Sequence, residues 1–589
     1  MSDAQTRGNP PLSPGHSSVS VALAGSGGAG VMTAGNMLLE AAAQAGYYSL
    51  MTRTSGPQIR GGEAAAMVRV ASFATDAQDD RFAVLAAIDW QNVGRFAAEI
   101  PLGAASLVVA DPAKGEPPEA FLKGGARYLP VPLHALAKQV EGGWPNMVAL
   151  GVLAGLMRLP AEALERAVAK SMKKGRDAGI AAARLGMAQV SSLKEYYLAK
   201  PEPMKGKRWL ISGNEAAGLG ALRGGVRFVA AYPITPATEL LEYLAPALAT
   251  LGGTLVQAED ELASINMILG ASYGGVPSLT ATSGPGLALM IEALGLGVTA
   301  EIPVVVVDVM RTGPSTGIAT KSEQADLNIA LYGLHGDAPH VVVAPNSLAD
   351  CLAATEWAVR LAESLQVPAI VLSDQYFGQA RAVVDAPAFE EKVLGRTTAK
   401  ERAAYKRYAL TDTGVSPMSL PGMPGLAYTA DGLEHNERGI PSSQASDHLA
   451  QMDKRARKLA QLDPGEDWAS IEGEGEIAVL TFGSCTGPVR EAFERARGDG
   501  IEARLVSMRL LSPAQPERLK RALAGVKRVL VVEQNHSGQF LRYLRAEYDL
   551  PGEVASLRRP GPLPFRPGEI HQRLLAWGRS EITPVRSTP

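Results

Sequence analysis

Short apolar runs alternate with amphipathic stretches over most of the chain, which is the pattern of an α/β protein. A first apolar run at 19–24 leads into a glycine-rich turn, and an alanine- and leucine-rich helix then extends to about Ala45. Further strands are predicted at 82–88 and 106–110, and two or three helices within 146–190. This alternation predicts a parallel sheet that is covered by helices on both faces.

The same alternation returns twice later in the chain. The strands predicted for the next block are 228–231, 278–281, 304–309, 341–344 and 369–373. The elements predicted for the last block are strands at 477–482, 503–506 and 529–533 and helices at 488–497, 515–524 and 538–548. We therefore predict a three-layer α/β chain of three domains, which is long enough for several hydrophobic cores.

Composition shifts mark the boundaries between these blocks. Polar residues fill the N-terminus, prolines and lysines mark a linker, and a stretch without regular alternation separates the last two blocks. The predicted divisions are a flexible tail at 1–17, a first domain at 18–198, a linker at 199–208, a second domain at 209–386, a connector at 387–465 and a third domain at 466–580.

The overall composition excludes several classes of function. Of the 589 residues, 46% are hydrophobic and 20% are charged, and the net charge of −3 gives no electrostatic reason to expect nucleic-acid binding. The stretch 286–298 is almost wholly apolar, but Glu292 interrupts it and it is too short to cross a bilayer, and no secretory signal is recognisable. We therefore expect a soluble cytoplasmic protein without a membrane partner. The two cysteines, Cys351 and Cys485, are too few for a disulfide framework or for a four-thiolate iron–sulfur cluster.

Polar, glycine and proline residues follow the strands of the second block, where an open α/β sheet binds its ligands. They occur at 232–236, at 259–261, at 282–286 and at 311–317. Arg311 leaves a very apolar strand and enters a Gly/Pro loop, and a guanidinium in that position suits a carboxylate ligand. The alternative for Arg311 is an ion pair with a sheet-end acid such as Asp308.

The other two polar stretches have simple structural explanations. Glu259, Asp260 and Glu261 precede a helix, where acidic residues offset the helix dipole. The two prolines of Tyr232-Pro233-Ile234-Thr235-Pro236 favour a rigid turn into a helix.

Two further segments of the first block are candidate binding loops. The turn 25–30 has the glycines of a phosphate-binding turn, but no acidic residue follows at the position that a nicotinamide site requires, so a tight turn is favoured. The loop at 54–62 contains Ser55 and Arg60 and precedes a strand predicted at 65–70, and a surface turn is the simpler interpretation.

The remaining chemistry-bearing residues lack partners at useful spacing. His435 and His536 have no metal ligands at the usual separations, so we interpret both as structural or interface residues. Gly498-Asp499-Gly500 lies between a charged helix and a strand, and we predict a simple turn there. The sequence therefore predicts no metal site that is held by this chain alone.

In their order and spacing, these segments resemble the α subunits of 2-oxoacid:ferredoxin oxidoreductases, which use thiamine diphosphate. The resemblance covers most of 18–580 and is greatest to the 2-oxoglutarate branch, in which a γ-type domain precedes the α domain. It implies a γ-type domain, a pyrimidine-binding-type domain for thiamine diphosphate and a transketolase C-terminal-like domain. At Ala29 the family usually has glutamine, which argues against a specific ligand role for the glycine turn.

The resemblance also implies roles for individual residues. Glu261, nine residues before Gly270, matches the glutamate that hydrogen-bonds N1′ of the aminopyrimidine and assists deprotonation of the cofactor. Thr235 and Arg311 would hold the substrate's C1 carboxylate, and Pro233 and Ile234 would contact the cofactor. Ser55 and Arg60 would line the entrance that coenzyme A uses.

What the chain lacks implies a partner. A β subunit would carry the diphosphate, Mg²⁺ and a [4Fe–4S] cluster, so the active site would lie between the α and β subunits in a dimer of αβ pairs. The implied reaction converts 2-oxoglutarate, coenzyme A and oxidised ferredoxin into succinyl-CoA, CO₂ and reduced ferredoxin, or runs in reverse.

Other functions stay open at this stage. A pyruvate-specific or broad-range relative is one. The sequence identifies no ligand for a distal carboxylate, and Lys321 and His335 are candidates only by their proximity to the Arg311 loop. A non-catalytic assembly or regulatory paralogue is the second alternative, and an NAD dehydrogenase is a poorer third.

Overall fold

Three β-sheets, distributed over two compact units, organise the chain. A computed structural model describes residues 15–56, 62–204, 206–388, 395–400 and 405–578. The first unit comprises the chain to Arg53, residues 60–210 and the short segment Val383–Asp385, and the second unit contains most of the remainder. The predicted multi-domain α/β fold is confirmed. Most of the predicted tail, 1–14, lies outside the described residues.

The first unit is built on an eight-stranded sheet with the strand order β6-β5-β4-β1-β3-β2-β14-β7. Its elements are β1 (Ser18–Gly25), α1 (Val31–Gln44), β2 (Tyr48–Ser55), β3 (Ala64–Ala71), β4 (Val84–Ala87), β5 (Leu107–Ala110), α2 (Glu119–Leu122), β6 (Arg127–Pro130), α3 (Leu133–Ala137), α4 (Pro145–Met157), α5 (Ala161–Ser171), α6 (Arg176–Gln189) and β7 (Arg208–Ser212).

The prediction of an all-parallel first sheet is wrong. Strands β1, β4, β5 and β6 are parallel, but β1 and β3 run antiparallel over eight residues, from Ser18 opposite Ala71 to Gly25 opposite Ala64. Both strands are apolar and buried, and burial on both faces produces the same sequence pattern in either direction.

The second unit contains a seven-stranded sheet with the order β18-β12-β13-β11-β10-β8-β9. The elements from α7 to β14 are α7 (Gly213–Gly224), β8 (Phe228–Ala231), α8 (Thr238–Thr250), β9 (Thr254–Gln257), α9 (Glu261–Tyr273), β10 (Ser278–Thr282), α10 (Gly284–Thr299), β11 (Val305–Met310), α11 (Leu327–Tyr332), β12 (Val341–Val343), α12 (Asp350–Leu365), β13 (Ala369–Asp374), α13 (Gln375–Gln379) and β14 (Arg381–Asp385). The central strand β11 is buried along its whole length, as a strand covered on both faces must be.

The third sheet has the order β15-β17-β16-β19-β20. The remaining elements are α14 (Ala445–Ala460), β15 (Ala469–Glu472), β16 (Ile477–Phe482), α15 (Thr486–Gly498), β17 (Ala503–Met508), β18 (Leu510–Ser512), α16 (Pro516–Ala522), β19 (Arg528–Glu533), α17 (Gln539–Glu547), β20 (Glu553–Arg558) and α18 (Pro567–Gly578). Strand β18 leaves this region and pairs antiparallel with β12, so the seven-stranded sheet includes residues from the predicted third domain. Among the described residues, no helix combines the length and the apolar character that crossing a membrane requires.

Candidate functional site

Four neighbouring parallel strands of the seven-stranded sheet end at one edge. In sheet order these are β9, β8, β10 and β11, and each pair is parallel. The residues that follow them include Glu261 after β9, Thr235 after β8, Ser283 after β10 and Arg311 after β11. The structure therefore brings the three residues predicted to be most important to the edge where α/β sheets bind ligands.

The turn after β8 is fixed by hydrogen bonds on both sides. The peptide bond between Thr235 and Pro236 is cis, and the Pro236 carbonyl accepts a hydrogen bond of 2.9 Å from the Asn214 side chain. The amides of Ala237 and Thr238 donate to the Ile234 carbonyl and lead into α8. The Thr235 carbonyl oxygen accepts from Arg311 Nη1 at 2.7 Å, so the turn and the arginine position each other.

Arg311 is 7% exposed, and most of its hydrogen-bonding capacity is unused. Within the described residues its one partner is the Thr235 carbonyl, and the buried Nε has none. The alternative of a direct ion pair with Asp308 is not observed in the described part of the chain. Burial lowers the pKa of Arg311, while Asp326 and Asp308 act in the opposite direction. The unused donors suit a carboxylate ligand.

Asp308 and Asp326 act on the charge of Arg311, Glu323 acts on Asp326, and the sequence suggested only Asp308. Asp308 in β11 is fully buried, and neither of its carboxylate oxygens has a hydrogen-bond partner among the described residues. Burial and the neighbouring Asp326 raise the pKa of Asp308 well above its usual value. Glu323 and Asp326 come from the irregular segment between the Arg311 loop and α11, where neither periodicity nor a strand end marked them. Burial also raises the pKa of Glu323.

Glu261 is the first residue of α9 and is 8% exposed. The preceding Asp260 caps this helix, since its carboxylate accepts a hydrogen bond of 2.6 Å from the Ala263 amide. The Glu261 carboxylate itself has no hydrogen-bond or ion-pair partner among the residues that the structure describes. A Cβ on Gly286 would lie 2.8 Å from Glu261 Oε1 and would clash with Thr282 Oγ1, so glycine provides the space that this carboxylate occupies.

These features fit the pyrimidine side of thiamine diphosphate. A carboxylate without a partner can accept a hydrogen bond from a ring N–H, and the fully buried hydroxyl of Ser283 also has no partner among the described residues. A metal for the diphosphate has no comparable ligands, since no group of three or more His, Cys, Asp or Glu side chains is placed to hold an ion in the described ranges. At Gly498-Asp499-Gly500 the chain leaves α15, and Asp499 accepts a hydrogen bond from His571 at 2.7 Å.

The other predicted contacts lie in several places. Ser55 ends β2 and is half-buried, whereas Arg60 lies outside the described residues. The Lys321 ammonium group donates to the hydroxyl of Thr54, next to Ser55. His335 lies beside Gly295 in the second half of α10, with Cε1 3.6 Å from the position of a Cβ there. Gly295 is about 16 Å along the helix from its start.

The glycine turn and the two histidines have local explanations. The Ser26 amide and hydroxyl both donate to Asp89, so a side chain of the protein occupies the position that an anionic ligand would take. His435 stacks on Tyr408 with ring centroids 3.6 Å apart, and its Nε2 lies 3.2 Å from the Thr299 carbonyl. His536 is exposed in the turn after β19.

Three protein-family models match the chain in the order of its sheets. They describe a "pyruvate ferredoxin/flavodoxin oxidoreductase" at residues 20–189, a "pyruvate flavodoxin/ferredoxin oxidoreductase, thiamine diP-bdg" at 219–454 and a "pyruvate:ferredoxin oxidoreductase core domain II" at 475–552.

Individual relatives match over longer stretches. The α subunit of 2-oxoacid:ferredoxin oxidoreductase 2 of Aeropyrum pernix is 32% identical over 506 residues, which is 78% of each chain. The 2-oxoglutarate synthase subunit KorA of Methanothermobacter marburgensis is 32% identical and matches 63% of this chain and 99% of its own. A solved 2-oxoglutarate:ferredoxin oxidoreductase from Magnetococcus marinus, with 2-oxoglutarate, coenzyme A and succinyl-CoA bound, is 35% identical with a TM-score of 0.87, and the match covers 96% of this chain and all of that one.

Proposed function

Because this chain belongs to the 2-oxoacid:ferredoxin oxidoreductase α subunits, we propose that it serves in an enzyme specific for 2-oxoglutarate. As a member of that family it is an oxidoreductase subunit with a domain of the thiamine-diphosphate-binding type. The observation that carries the proposed chemistry is the sheet edge that holds both the Arg311 guanidinium and the Glu261 carboxylate, which has no partner among the described residues. The solved 2-oxoglutarate enzyme, which matches nearly the whole chain, supports the choice of substrate.

The residues at the sheet edge have separate roles in this proposal. Bound thiamine diphosphate would supply the carbon nucleophile that attacks a 2-oxoacid. Glu261 would accept a hydrogen bond from the pyrimidine ring, next to Pro233 and Ile234. The free donors of Arg311 would bind the C1 carboxylate, with Thr235 as a second contact. Because Arg311 is buried, its charge acts on the substrate with little screening by water.

The rest of the active site would come from a β subunit. We propose that this subunit binds the diphosphate through Mg²⁺ and carries a [4Fe–4S] cluster that passes electrons to ferredoxin. This is supported by the cysteines of this chain: it has two, which are too few to hold such a cluster, and both are buried. Coenzyme A would approach past Ser55 and Arg60 and leave as succinyl-CoA, and two αβ pairs would form the assembly.

A broader substrate range is the second candidate. The Aeropyrum relative is named for 2-oxoacids in general, and Lys321, the remaining candidate for a distal carboxylate, already donates to Thr54. An assembly or regulatory subunit would not require a buried glutamate that lies opposite a glycine and has no partner among the described residues, so the geometry at Glu261 favours an enzyme.

The test is to purify the tagged chain from its native host under anaerobic conditions. The eluate is assayed for coenzyme-A-dependent reduction of a viologen dye with 2-oxoglutarate and pyruvate in parallel, and the Glu261→Gln chain serves as the matched control. A brown complex with a smaller subunit that prefers 2-oxoglutarate is the expected result. Preference for pyruvate would overturn the substrate, and an inactive, colourless chain without a partner would favour the assembly role.

A further inference from the structure

One buried side chain fixes the turn that carries Thr235. Asn214 is the second residue of α7 and is 1% exposed. Its side-chain amide donates a hydrogen bond of 2.9 Å to the carbonyl of Pro236, which directly follows Thr235 and is itself buried. A buried carbonyl without a donor is costly, so this hydrogen bond holds the turn at a defined place.

The start of α7 is itself fixed, which determines where the Asn214 amide lies. A capping box closes this end of the helix: the Ser212 hydroxyl accepts from the Glu215 amide at 3.1 Å, and the Glu215 carboxylate accepts from the Ser212 amide at 2.7 Å. A Cβ on Gly213 would clash with the Phe377 carbonyl oxygen, so the helix start packs directly against the backbone of α13. Asn214 therefore projects from a rigid support.

The Asn214 amide is also related to the strand that leads to Arg311. In α13, the backbone of Gly378 lies between the Asn214 side chain and Val309 of β11. A Cβ on Gly378 would be 3.0 Å from Asn214 Oδ1 and 2.9 Å from Val309 Cγ1, so glycine is required for this close approach. Val309 is two residues before Arg311. The turn and β11 are thus packed against the same short segment of backbone.

The turn and Arg311 meet at neighbouring carbonyl groups. Arg311 Nη1 donates to the Thr235 carbonyl at 2.7 Å, and Asn214 donates to the next carbonyl along the chain, that of Pro236. The guanidinium has no other hydrogen-bond partner among the described residues, so this contact directs its remaining donors. If the turn moves, the donors that Arg311 can offer to a ligand move with it.

A purely structural role is the alternative, and another asparagine of the same compact unit represents it. Asn346 is 4% exposed, and its side-chain amide donates to the Ser507 carbonyl at 3.0 Å. Its other side-chain contacts lie at the start of α15. Both asparagines bury an amide against a backbone carbonyl, but the acceptor of Asn214 adjoins the acceptor of Arg311 and the acceptor of Asn346 does not.

We propose that Asn214 is a positioning residue that acts through Arg311: by fixing the Pro236 carbonyl, it holds the guanidinium in the direction in which its donors bind the C1 carboxylate of a 2-oxoacid. This inference rests on the proposed role of Arg311 in binding that carboxylate. Two parallel hydrogen bonds to a carboxylate depend strongly on direction, so a small displacement of the turn weakens binding. Glu261 lies on α9, outside this series of contacts, so the chemical step should be affected less than binding.

The test measures initial rates of the αβ holoenzyme with 2-oxoglutarate in a double-mutant cycle. Asn214→Ala leaves the Pro236 carbonyl without this donor, and we expect KM to rise about tenfold and kcat to change by less than about threefold. Arg311→Lys removes the directed donors. Adding Asn214→Ala to Arg311→Lys should then raise KM by no more than about twofold, because the group through which Asn214 acts is already lost.

Asn346→Ala is the matched control, because it removes a buried amide from a backbone carbonyl elsewhere in the same unit. It should lower the thermal unfolding midpoint about as much as Asn214→Ala does and leave KM unchanged. An unchanged KM in Asn214→Ala, or an effect on KM that is equally large with and without Arg311→Lys, would overturn the inference.

A second variant keeps the donor and displaces it. Gly378→Ala places a methyl group against the Asn214 amide and Val309, so at least one of these side chains must shift. We expect KM to rise less than in Asn214→Ala, and the rise to disappear in the Arg311→Lys background. If Asn214→Ala does not fold, this variant decides the question, since a wild-type KM or a rise that persists with Arg311→Lys contradicts the proposal.

The outcome for Asn214 can be separated from that for the proposed function. An enzyme that prefers pyruvate still tests the role of Asn214, because the C1 carboxylate is common to all 2-oxoacids. Turnover without an effect of Asn214→Ala on KM contradicts only that role. If no 2-oxoacid is turned over, calorimetric titration of the holoenzyme with 2-oxoglutarate replaces the kinetics. Binding that weakens in Asn214→Ala then supports the inference although the function is wrong, and absence of binding contradicts both.

Discussion

The acids Asp308, Glu323 and Asp326 and the base Arg311 form what we call the sheet-edge cluster, whereas a second, buried cluster in the same compact unit has one acid and three bases. We define this second group, Glu301, Arg407, Lys454 and Lys458, as the connector cluster, because three of its members come from the connector between the second and third sheets. All four side chains of the connector cluster are fully buried. The two clusters therefore show two ways in which one fold accommodates charge in its interior.

The connector cluster is closed by direct contacts. One carboxylate oxygen of Glu301 binds the Lys454 ammonium group, and the other binds that of Lys458 at 2.5 Å. Arg407 Nη2 donates to the Glu301 carbonyl at 2.9 Å. Although burial by itself raises the pKa of Glu301, the three bases together bring it below its usual value. Burial also lowers the pKa of Lys454, to about 7, against the attraction of Glu301.

The sheet-edge cluster lacks this closure. No ion pair joins its members in the described residues, and atoms of Asp308, Arg311 and Asp326 have no hydrogen-bond partner there. Unpartnered buried groups cost several kcal/mol each and persist where a ligand or a proton completes them. The ion pairs of the connector cluster hold two segments of chain together. The groups of the sheet-edge cluster that have no partner among the described residues are available for binding.

The largest effect is expected for Glu261, at the same sheet edge. Glu261→Gln removes the charge but preserves the size of the side chain, so the hydrogen bond proposed to activate the cofactor is lost. We expect kcat for 2-oxoacid oxidation to fall by about 10²–10⁴-fold, with the thermal unfolding midpoint unchanged. Glu259 lies two residues earlier and is exposed, so the variant Glu259→Gln is the control and should keep full activity. Undiminished turnover of Glu261→Gln would favour the assembly role instead.

For the connector cluster, the corresponding change affects stability and not catalysis. Glu301→Gln leaves two buried lysines without their counter-charge, and we expect a loss of about 3–5 kcal/mol in the free energy of unfolding. Denaturant unfolding and limited proteolysis of α14 measure this loss. The triple variant Glu301→Leu, Lys454→Met, Lys458→Met removes the charges together and should recover most of the stability.

The pH dependence of Glu301→Gln provides a second readout. Because the pKa of Glu301 is lowered in the folded state, its ion pairs stabilise the wild type above pH 4.5, and this contribution is lost as the pH falls. The difference between wild type and variant should therefore shrink in acid. Burial lowers the pKa of Lys454 in the wild type too, so both proteins should gain stability as the pH rises above 7, and the variant, which lacks the opposing effect of Glu301, should begin to gain it at a lower pH. A difference between wild type and variant that stays constant as the pH falls below 4.5 would contradict the interpretation that Glu301 is held by direct ion pairs.

The same substitution in the two buried arginines, Arg311 and Arg407, should have different effects. Arg311→Lys keeps the charge but loses the planar fork, so we expect KM for the 2-oxoacid to rise about 10–100-fold, the equivalent of 1.5–3 kcal/mol. Arg407→Lys should lower the unfolding midpoint and leave KM unchanged, because Arg407 contacts the Glu301 and Ser416 backbone. Initial-rate kinetics and thermal unfolding of both variants make the comparison. An Arg407 variant with altered KM would show that the clusters are coupled.

Strands with an apolar pattern could be predicted from the sequence, and polar or edge strands could not. Strand β16 occupies the predicted residues 477–482, and the helices that alternate with the last strands lie within a few residues of their predicted ends. The edge strand β9 was missed because it begins and ends with the exposed polar residues Thr254 and Gln257. Strand β2 was missed because its last residues, including Thr54 and Ser55, have the composition of a loop.

The same limit applies to the site. Arg311 could be selected because a cation directly after an apolar strand needs an explanation, and the structure places it at the sheet edge. Asp326 and Glu323 could not be selected, because their segment is irregular and their surroundings are set by tertiary packing. Asp326 lies against Gly284 at the start of α10, and Glu323 lies against Gly561, before α18. Whether a charged residue finds a partner depends on tertiary contacts, and a local pattern does not contain them.

Asp260 and Glu261 repeat the contrast between closed and open charges within two consecutive residues. Asp260 is exposed and its carboxylate is bound to the Ala263 amide, whereas Glu261 is buried and its carboxylate is free among the described residues. Asp260→Ala should therefore cost only about 1 kcal/mol, the usual contribution of a helix cap, and Asp260→Asn should restore it. Loss of the cap loosens the first turn of α9, which positions Glu261, so we expect kcat to fall a few-fold with KM unchanged. Hydrogen exchange at the α9 amides and kinetics of the two variants measure these effects. A loss as large as that of Glu261→Gln would mean that Asp260 takes part in the chemistry and that the distinction between the two acids is wrong.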